Sequence, residues 1–284
     1  MENKAYLVVL SDNRNANSGL RKEHGLSVFL DTGTVKLLLD TGSSDVFAQN
    51  AISLGVDIKQ IDTVFLSHGH NDHTGGLTCF LSLNEQASIW ISQKVINQRF
   101  FSYKVDYKEI GCFNPEIIYL DRIRFETGMV QHEAHIVTLD PIDFGYPRPK
   151  ANRRLFSKTE GVASALRVPD SLNHERILCI NAERLFVYTG CSHAGLQNIL
   201  KAVEQQLNRK PDVVLGGFHF PDAENAFPLE TAEELQQLAA FLASEYPRTN
   251  FLTGHCTGDK AFYQLKEIMG SQLELFHTGY TTTI

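Results

Sequence analysis

The chain reads as an α/β protein in which sheets are covered on their outer faces by helices. Two observations predict that class, and a third places a site on it. Short continuous apolar runs such as Leu37-Leu38-Leu39 and Val213-Val214-Leu215 alternate with segments of helical period, and strands apolar on both faces need cover on both. The same alternation recurs in both halves of the 284 residues. Histidines fall just beyond the apolar strands, where a rigid scaffold presents functional groups.

Taken in order, 5–10, 25–31 and 34–40 read as strands, with Asp31-Thr32-Gly33-Thr34 turning between the last two. Residues 45–54 read as a helix stopped at Gly55, and 62–67 as the next strand. A helix at 77–83 and a strand at 88–91 complete the first half. In the second half 176–180 and 185–189 form a hairpin. Helices at 196–207, 232–245 and 260–269 then alternate with strands at 212–215, 250–253 and 273–276, the last one expected. Hydrophobic residues make up 43% of the chain and no Pro/Gly/Ser-rich linker divides it, so residues 1–284 are expected to form one domain with a full core.

The chemistry sits in Ser67-His68-Gly69-His70-Asn71-Asp72-His73-Thr74-Gly75-Gly76. Three imidazoles and a carboxylate within six residues are ligands for zinc and similar divalent metals. His68 and His70 leave a strand, where residues two apart point the same way, while Asp72 and His73 lie at the approach to a helix. The turn thus offers two short ligand sets, which suits two metals about 3.5–4 Å apart better than one structural zinc. No C-x-x-C pair suggests the latter. Further on, His193, His219 and His255 each follow an apolar strand and are flanked by glycines that let backbone approach a ligand.

At these residues the chain resembles the metallo-β-lactamase superfamily, whose H-x-H-x-D-H signature is matched at positions 68–73 and whose upstream aspartate matches Asp40, closing Lys36-Leu37-Leu38-Leu39-Asp40. Thr189-Gly190-Cys191-Ser192-His193-Ala194-Gly195, Gly216-Gly217-Phe218-His219-Phe220 and Thr253-Gly254-His255-Cys256-Thr257-Gly258 look like the branch related to dihydropterin-ribofuranosylaminobenzene-phosphate synthases, many of whose members are known only as metal-dependent hydrolases. The resemblance spans essentially the whole chain. It implies a four-layer αββα sandwich of two mostly mixed sheets, with the site where the sheets meet. It further implies that His193 completes the set of His68 and His70, and His255 that of Asp72 and His73. His219 either coordinates a metal or donates a hydrogen bond to substrate. Many two-metal members carry a bridging aspartate at the end of the strand that here ends in Thr189-Gly190. This chain has Cys191 there, either a thiolate ligand favouring zinc over manganese or magnesium, or a small buried residue without a catalytic part. Cys256 has the same two readings, and we take it as structural.

Composition narrows the partners. Five cysteines do not describe a disulfide framework, so a reducing compartment, the cytoplasm, is expected. The apolar run at 5–10 is too short for a signal core or a membrane span. A formal charge of −7 argues against nucleic acid as partner. The oligomeric state is not legible.

Between the halves, about 94–158 reads as an insertion that shapes the pocket, as it commonly does in relatives the resemblance points to. It carries Phe100, Phe101, Tyr103, Tyr107, Phe113, Tyr119, Phe144 and Tyr146, then Arg148, Lys150, Arg153, Arg154 and Lys158 among prolines that favour an ordered loop or lid. Stacking on a heterocycle by the aromatics and phosphate binding by Arg148, Arg153 and Arg154 stand against ordinary subdomain packing and solvated surface. The expected activity is metal-dependent hydrolysis of a small phosphorylated or ester-type molecule. One or two divalent metals, zinc before manganese or iron, would activate water, with Asp72 accepting its proton and Asp40 orienting a ligand. The alternatives are a pterin-condensing transferase and a non-catalytic ligand-binding protein.

Overall fold

Alternate residues of the first strand enter different cores. In β1 (Tyr6–Ser11) Leu7 and Val9 face the opposite sheet, whereas Val8 and Leu10 face helices. This is why the strands are apolar on both sides. The computed structural model describes residues 5–17, 19–111, 120–160, 166–222 and 228–284.

The first half runs β1, β2 (Ser27–Asp31), β3 (Lys36–Leu39), α1 (Val46–Ser53), β4 (Thr63–Phe65), the short α2 (Asn71–Thr74), α3 (Leu77–Leu83) and β5 (Ser88–Ser92). The middle contains β6 (Gln98–Tyr103), β7 (Tyr107–Gly111), β8 (Ile123–Glu126), β9 (Val130–Gln131), β10 (Ile136–Leu139), β11 (Leu155–Thr159) and β12 (Val168–Pro169). The second half continues with β13 (Ile177–Asn181), β14 (Leu185–Tyr188), α4 (Leu196–Leu207), β15 (Val213–Leu215), α5 (Ala232–Glu245), β16 (Asn250–Thr253), α6 (Asp259–Met269), β17 (Leu273–Leu275) and β18 (Thr281–Thr283).

One seven-stranded sheet has the order β18-β1-β2-β3-β4-β5-β8, and the other β17-β16-β15-β14-β13-β10-β9. Each is antiparallel on one side and parallel on the other, the parallel parts being β3-β4-β5-β8 and β14-β15-β16-β17. Leu37, Leu39 and Phe65 of one sheet pack against Leu178, Phe186 and Leu215 of the other. Helices α1 and α3 cover the first sheet's outer face, and α4, α5 and α6 the second's. The result is four layers, αββα. In such sheets ligands bind beyond the carboxyl ends of parallel strands, and those ends carry Asp40, the histidine motif, His193, His219 and His255.

Two expectations are corrected. The chain does not end its strands at 273–276: β18 follows and pairs antiparallel with β1, and its threonine run lacks the apolar signal that marks the others. The stretch 94–158 is not one insertion. β8 pairs with β5 and β10 with β13, so both belong to the main sheets, and Val137 and Leu139 are core. What stands apart is a four-stranded sheet of order β12-β11-β6-β7. Its aromatics pack on one another, Tyr107 against Tyr103 and Phe156, with the Arg167 guanidinium over Phe101 and Tyr107. Phe113 and Tyr119 lie outside the described residues. Within the basic run, where an ordered loop or lid was expected, Lys150–Arg154 form a 3-10 turn. Among the described residues no helix is long and apolar enough to cross a membrane.

Candidate metal centre

Five strand ends converge. Asp40 follows β3, His68 to His73 follow β4, Cys191 and His193 follow β14, His219 follows β15 and His255 follows β16. Asp40, Ser192, His219 and His255 adopt left-handed backbone with φ between 51° and 58°, a conformation that costs non-glycine residues energy and clusters at functional sites. His68, His70, His73, His193 and His255 are all buried.

Hydrogen bonds assign the protons on four of these rings. The Asp40 carboxylate accepts the Ser67 N–H and Oγ–H, each at 2.7 Å, and the Tyr188 hydroxyl at 2.7 Å. It also accepts His73 Nδ1–H at 2.6 Å. Because the Ser67 hydroxyl proton is committed to Asp40, Ser67 Oγ accepts from His68 Nδ1 at 2.9 Å. Asn152 donates to the His193 carbonyl at 2.7 Å, so its Oδ1 accepts His193 Nδ1–H at 2.9 Å. Asn13 clasps His255 in the same way, donating to its carbonyl at 3.0 Å and accepting Nδ1–H at 3.0 Å. In all four rings Nδ1 carries the proton, which leaves the Nε2 lone pair pointing inward.

Those lone pairs meet. His68 Nε2 lies 3.3 Å from His193 Nε2, and His73 Nε2 lies 3.1 Å from His255 Nε2. Two acceptors at that distance repel unless a cation lies between them. Two nitrogens on a tetrahedral zinc, each bonded at about 2.0–2.1 Å, sit about 3.3 Å apart. The donor set therefore fits a divalent metal. Ligand atoms of His68, His70 and His193 lie within 4.8 Å of one another, and so do those of His68, His73 and Cys191. Cys191 also groups with His193 and His219, which places its sulfur between the two ligand sets.

Comparison with known proteins agrees. Residues 20–103 match the family model of the metallo-beta-lactamase superfamily. The solved structure of Tm1679, described as a metal-dependent hydrolase of the beta-lactamase superfamily, superposes with a TM-score of 0.81 at 26% identity over 99% of both chains. The chain has the metallo-β-lactamase fold. It is also 26% identical to the 7,8-dihydropterin-6-methyl-4-(beta-D-ribofuranosyl)-aminobenzene-5'-phosphate synthase of Methanocaldococcus jannaschii, the match covering 98% of this chain and 96% of that one. The YhfI protein of Bacillus subtilis shares the metallo-β-lactamase fold at a TM-score of 0.59 and 13% identity, over 99% of this chain and 100% of that one.

Electrostatics within this metallo-β-lactamase fold favour metal binding. Burial first, then the neighbouring imidazoles, hold His68 and His193 well below the ordinary histidine range. Burial also lowers His70, with Asp170 opposing. Neutral imidazole is the form that ligates. Burial resists ionisation of Asp72, but His73, His255 and His24 outweigh it and keep it a carboxylate. Burial resists protonation of His255 too, yet Asp72 and the Cys256 sulfur push its pKa up to about 9, so without a metal a proton holds the place on its Nε2, facing Asp72 Oδ2 at 3.3 Å, that a cation would take. That side of the centre is the more anionic, and it attracts cations.

Several participants carried no sequence signal. Asn13 and Asn152 are the clamps just described. Asp170 Oδ2 lies 3.6 Å from His70 Nε2 and takes a hydrogen bond from His174 Nε2 at 3.2 Å, while His174 Nδ1 accepts the Gly69 N–H at 3.1 Å. Glu175 accepts the backbone N–H groups of His193 and Ala194 at 2.6 and 2.8 Å, holding that loop in place. His24 is exposed at the mouth, its Nε2 3.4 Å from Asp72 Oδ2. Of the expected phosphate-binding arginines, Arg148 pairs with Asp143 at 3.0 Å and Arg153 is exposed. The 3-10 turn reaches the centre through Asn152.

Proposed function

We propose that the chain is a metal-dependent hydrolase of a small phosphorylated or ester-type substrate. The observation that carries this is the two pairs of inward-facing Nε2 lone pairs, each ring locked by its own Nδ1 partner. His68, His70 and His193 would hold one ion, and Asp72, His73 and His255 another, with Cys191 between them. Zinc is the ion that a mixed nitrogen, oxygen and sulfur set favours, ahead of manganese or iron. When bound, such ions polarise a carbonyl or phosphoryl oxygen and bring a water's pKa to about 7.

The protein's own groups do the rest. Asp40, Asn13, Asn152 and Ser67 keep the rings from rotating, so the ligand atoms need no reorganisation when substrate arrives. Asp72 Oδ2 is the acceptor for the proton of the attacking water, and His24 stands between that oxygen and solvent. His219, whose ring lies 4.2 Å from that of His193 between centroids and neighbours the Cys256 sulfur, is placed to meet substrate or metal. Free cysteines at 79, 179, 191 and 256 suit the reducing cytoplasm, and the acidic chain suits a small-molecule partner rather than nucleic acid or membrane.

The full-length match to the pterin synthase favours a second reading, in which an arylamine replaces water as nucleophile and the product carries a phosphate. The two separate in one experiment. Protein loaded with zinc, manganese or iron is assayed on an activated phosphodiester and on nitrophenyl esters, and in parallel on an arylamine with an activated dihydropterin. Hydrolysis that rises with pH through about 7 supports the first reading. Condensation without hydrolysis supports the second, and neither with any metal overturns both.

A further inference from the structure

Cys256 plays no part in the reading above, yet its position is not that of a filler residue. Its sulfur lies 3.4 Å from Cys191 Sγ, which lies 3.1 Å from His73 Nε2. The ligand atoms of Cys191, His255 and Cys256 fall within 4.8 Å of one another. On a tetrahedral zinc, bonds of about 2.3 Å to sulfur and about 2.0–2.1 Å to nitrogen space two sulfurs about 3.8 Å apart and sulfur from nitrogen about 3.6 Å. The observed gaps lie only a few tenths of an ångström inside those values, within reach of small side-chain rotations.

The surrounding chain makes room for this sulfur. A Cβ on Gly217 would collide with Cys256 Sγ, so only glycine leaves the space. The three loops that bring the thiols together are tied at several points. Gly217 N–H donates to the Gly190 carbonyl at 2.7 Å, Ser192 Oγ donates to the Gly217 carbonyl at 2.8 Å, and Phe218 N–H donates to Thr257 Oγ1 at 2.9 Å.

We propose that Cys256 is a metal ligand, joining Cys191 to give the Asp72–His73–His255 side of the centre a two-thiolate face. The proposal rests on the metal-centre reading above and deepens it. Two thiolates and a carboxylate over-neutralise a divalent ion, so that ion is held tightly and acts weakly as a Lewis acid. The His68–His70–His193 position offers three neutral imidazoles and at most a share of the Cys191 sulfur, so the ion there carries less ligand charge and is the stronger acid. Soft sulfur ligands select zinc, cobalt or ferrous iron over magnesium and manganese on the thiolate side.

The test uses cobalt(II) as an optical probe on the full chain. Wild type, Cys256→Ala, Cys256→Ser, Cys191→Ala and the double alanine variant are titrated, and the near-ultraviolet sulfur-to-cobalt charge-transfer band is measured. We expect each single variant to keep about half the wild-type intensity and the double variant none. Independently of any variant's folding, zinc should protect two thiols of the wild-type protein from a disulfide reagent, and a chelator should release both. A Cys256→Ala spectrum like wild type, or protection of fewer than two thiols, overturns the assignment. Cobalt uptake and hydrolysis without a sulfur band would overturn this inference and leave the hydrolase reading standing. No uptake at all would overturn both.

Discussion

Replacing Asp40 with asparagine isolates the carboxylate that orients His73. The backbone there is left-handed at φ 58°, a conformation asparagine tolerates as well as aspartate, so strain does not enter. The side chain is fully buried and takes four hydrogen bonds, three of them on Oδ2. If the new amide keeps its oxygen at the Oδ2 position, its NH2 faces the Ser67 N–H and leaves that donor without an acceptor, costing about 1–3 kcal/mol. If it turns the other way, the NH2 donates to His73 Nδ1 and drives the proton to Nε2, where it blocks the ligand atom. Partners of metal-bound histidines typically contribute about 10–100-fold in metal affinity, equivalent to about 1.4–2.7 kcal/mol. Competition with a chromophoric chelator should therefore show zinc bound about 10–100-fold more weakly, with unchanged far-ultraviolet circular dichroism. Tyr188→Phe, which deletes one donor to the same oxygen and leaves His73 protonated at Nδ1, should lower stability while changing zinc affinity less than about threefold. If Asp40→Asn binds zinc within twofold of wild type, Asp40 does not set the His73 tautomer and the lone-pair argument fails.

Elemental analysis should find metal lost from His68→Ala and His193→Ala, with activity abolished and the fold retained. His219→Ala should lose more activity than metal if it serves substrate, and equal loss in all three would make it a ligand. Alanine at both Arg153 and Arg154 should raise KM for phosphorylated substrates and leave neutral esters unaffected, and an equal response of both would mark the run as ordinary surface. Burial resists ionisation of Glu126, but hydrogen bonds from His132 and Thr138 and the charge of Arg176 outweigh it and hold the group below its ordinary 4.5. Between the folded and unfolded pKa values the unfolded chain binds the proton, so this stability is present above pH 4.5 and is lost as pH falls through the folded value. Urea midpoints of Glu126→Gln should then vary less with pH below about 5 than those of wild type, and parallel curves would refute the linkage. Arg176→Met strands Glu126 and Asp140, which it contacts at 3.1 and 2.5 Å, and should cost about 3–5 kcal/mol in urea unfolding.

Local period made much of the architecture legible. The bounds of α3, α4, α5 and β16 coincide with those expected from apolar spacing and turn residues, because side-chain direction along a helix or strand is a property of the chain itself. The histidine motif was legible for the same reason, since its ligands sit within one turn of backbone. β18 was not, because threonines at an edge carry no apolar signature, and β8 and β10 were hidden in a stretch whose aromatic and basic composition resembled an insertion.

The sequence alone marked the histidine motif, Cys191, His193, His219 and His255 as side chains that could ligate a metal, but not Asp170 and His174, which group with His70. Only the tertiary structure decided how they are held and which thiol joins them. Asn13 meets His255 across 242 positions, Tyr188 meets Asp40 across 148, and Cys191 meets Cys256 across 65. Such pairs leave no periodic trace, because the first two come from two sheets closing face to face and the third from the ends of β14 and β16, brought near each other by β15 between them in one sheet. The proton positions that turn four imidazoles into ligands follow from those contacts.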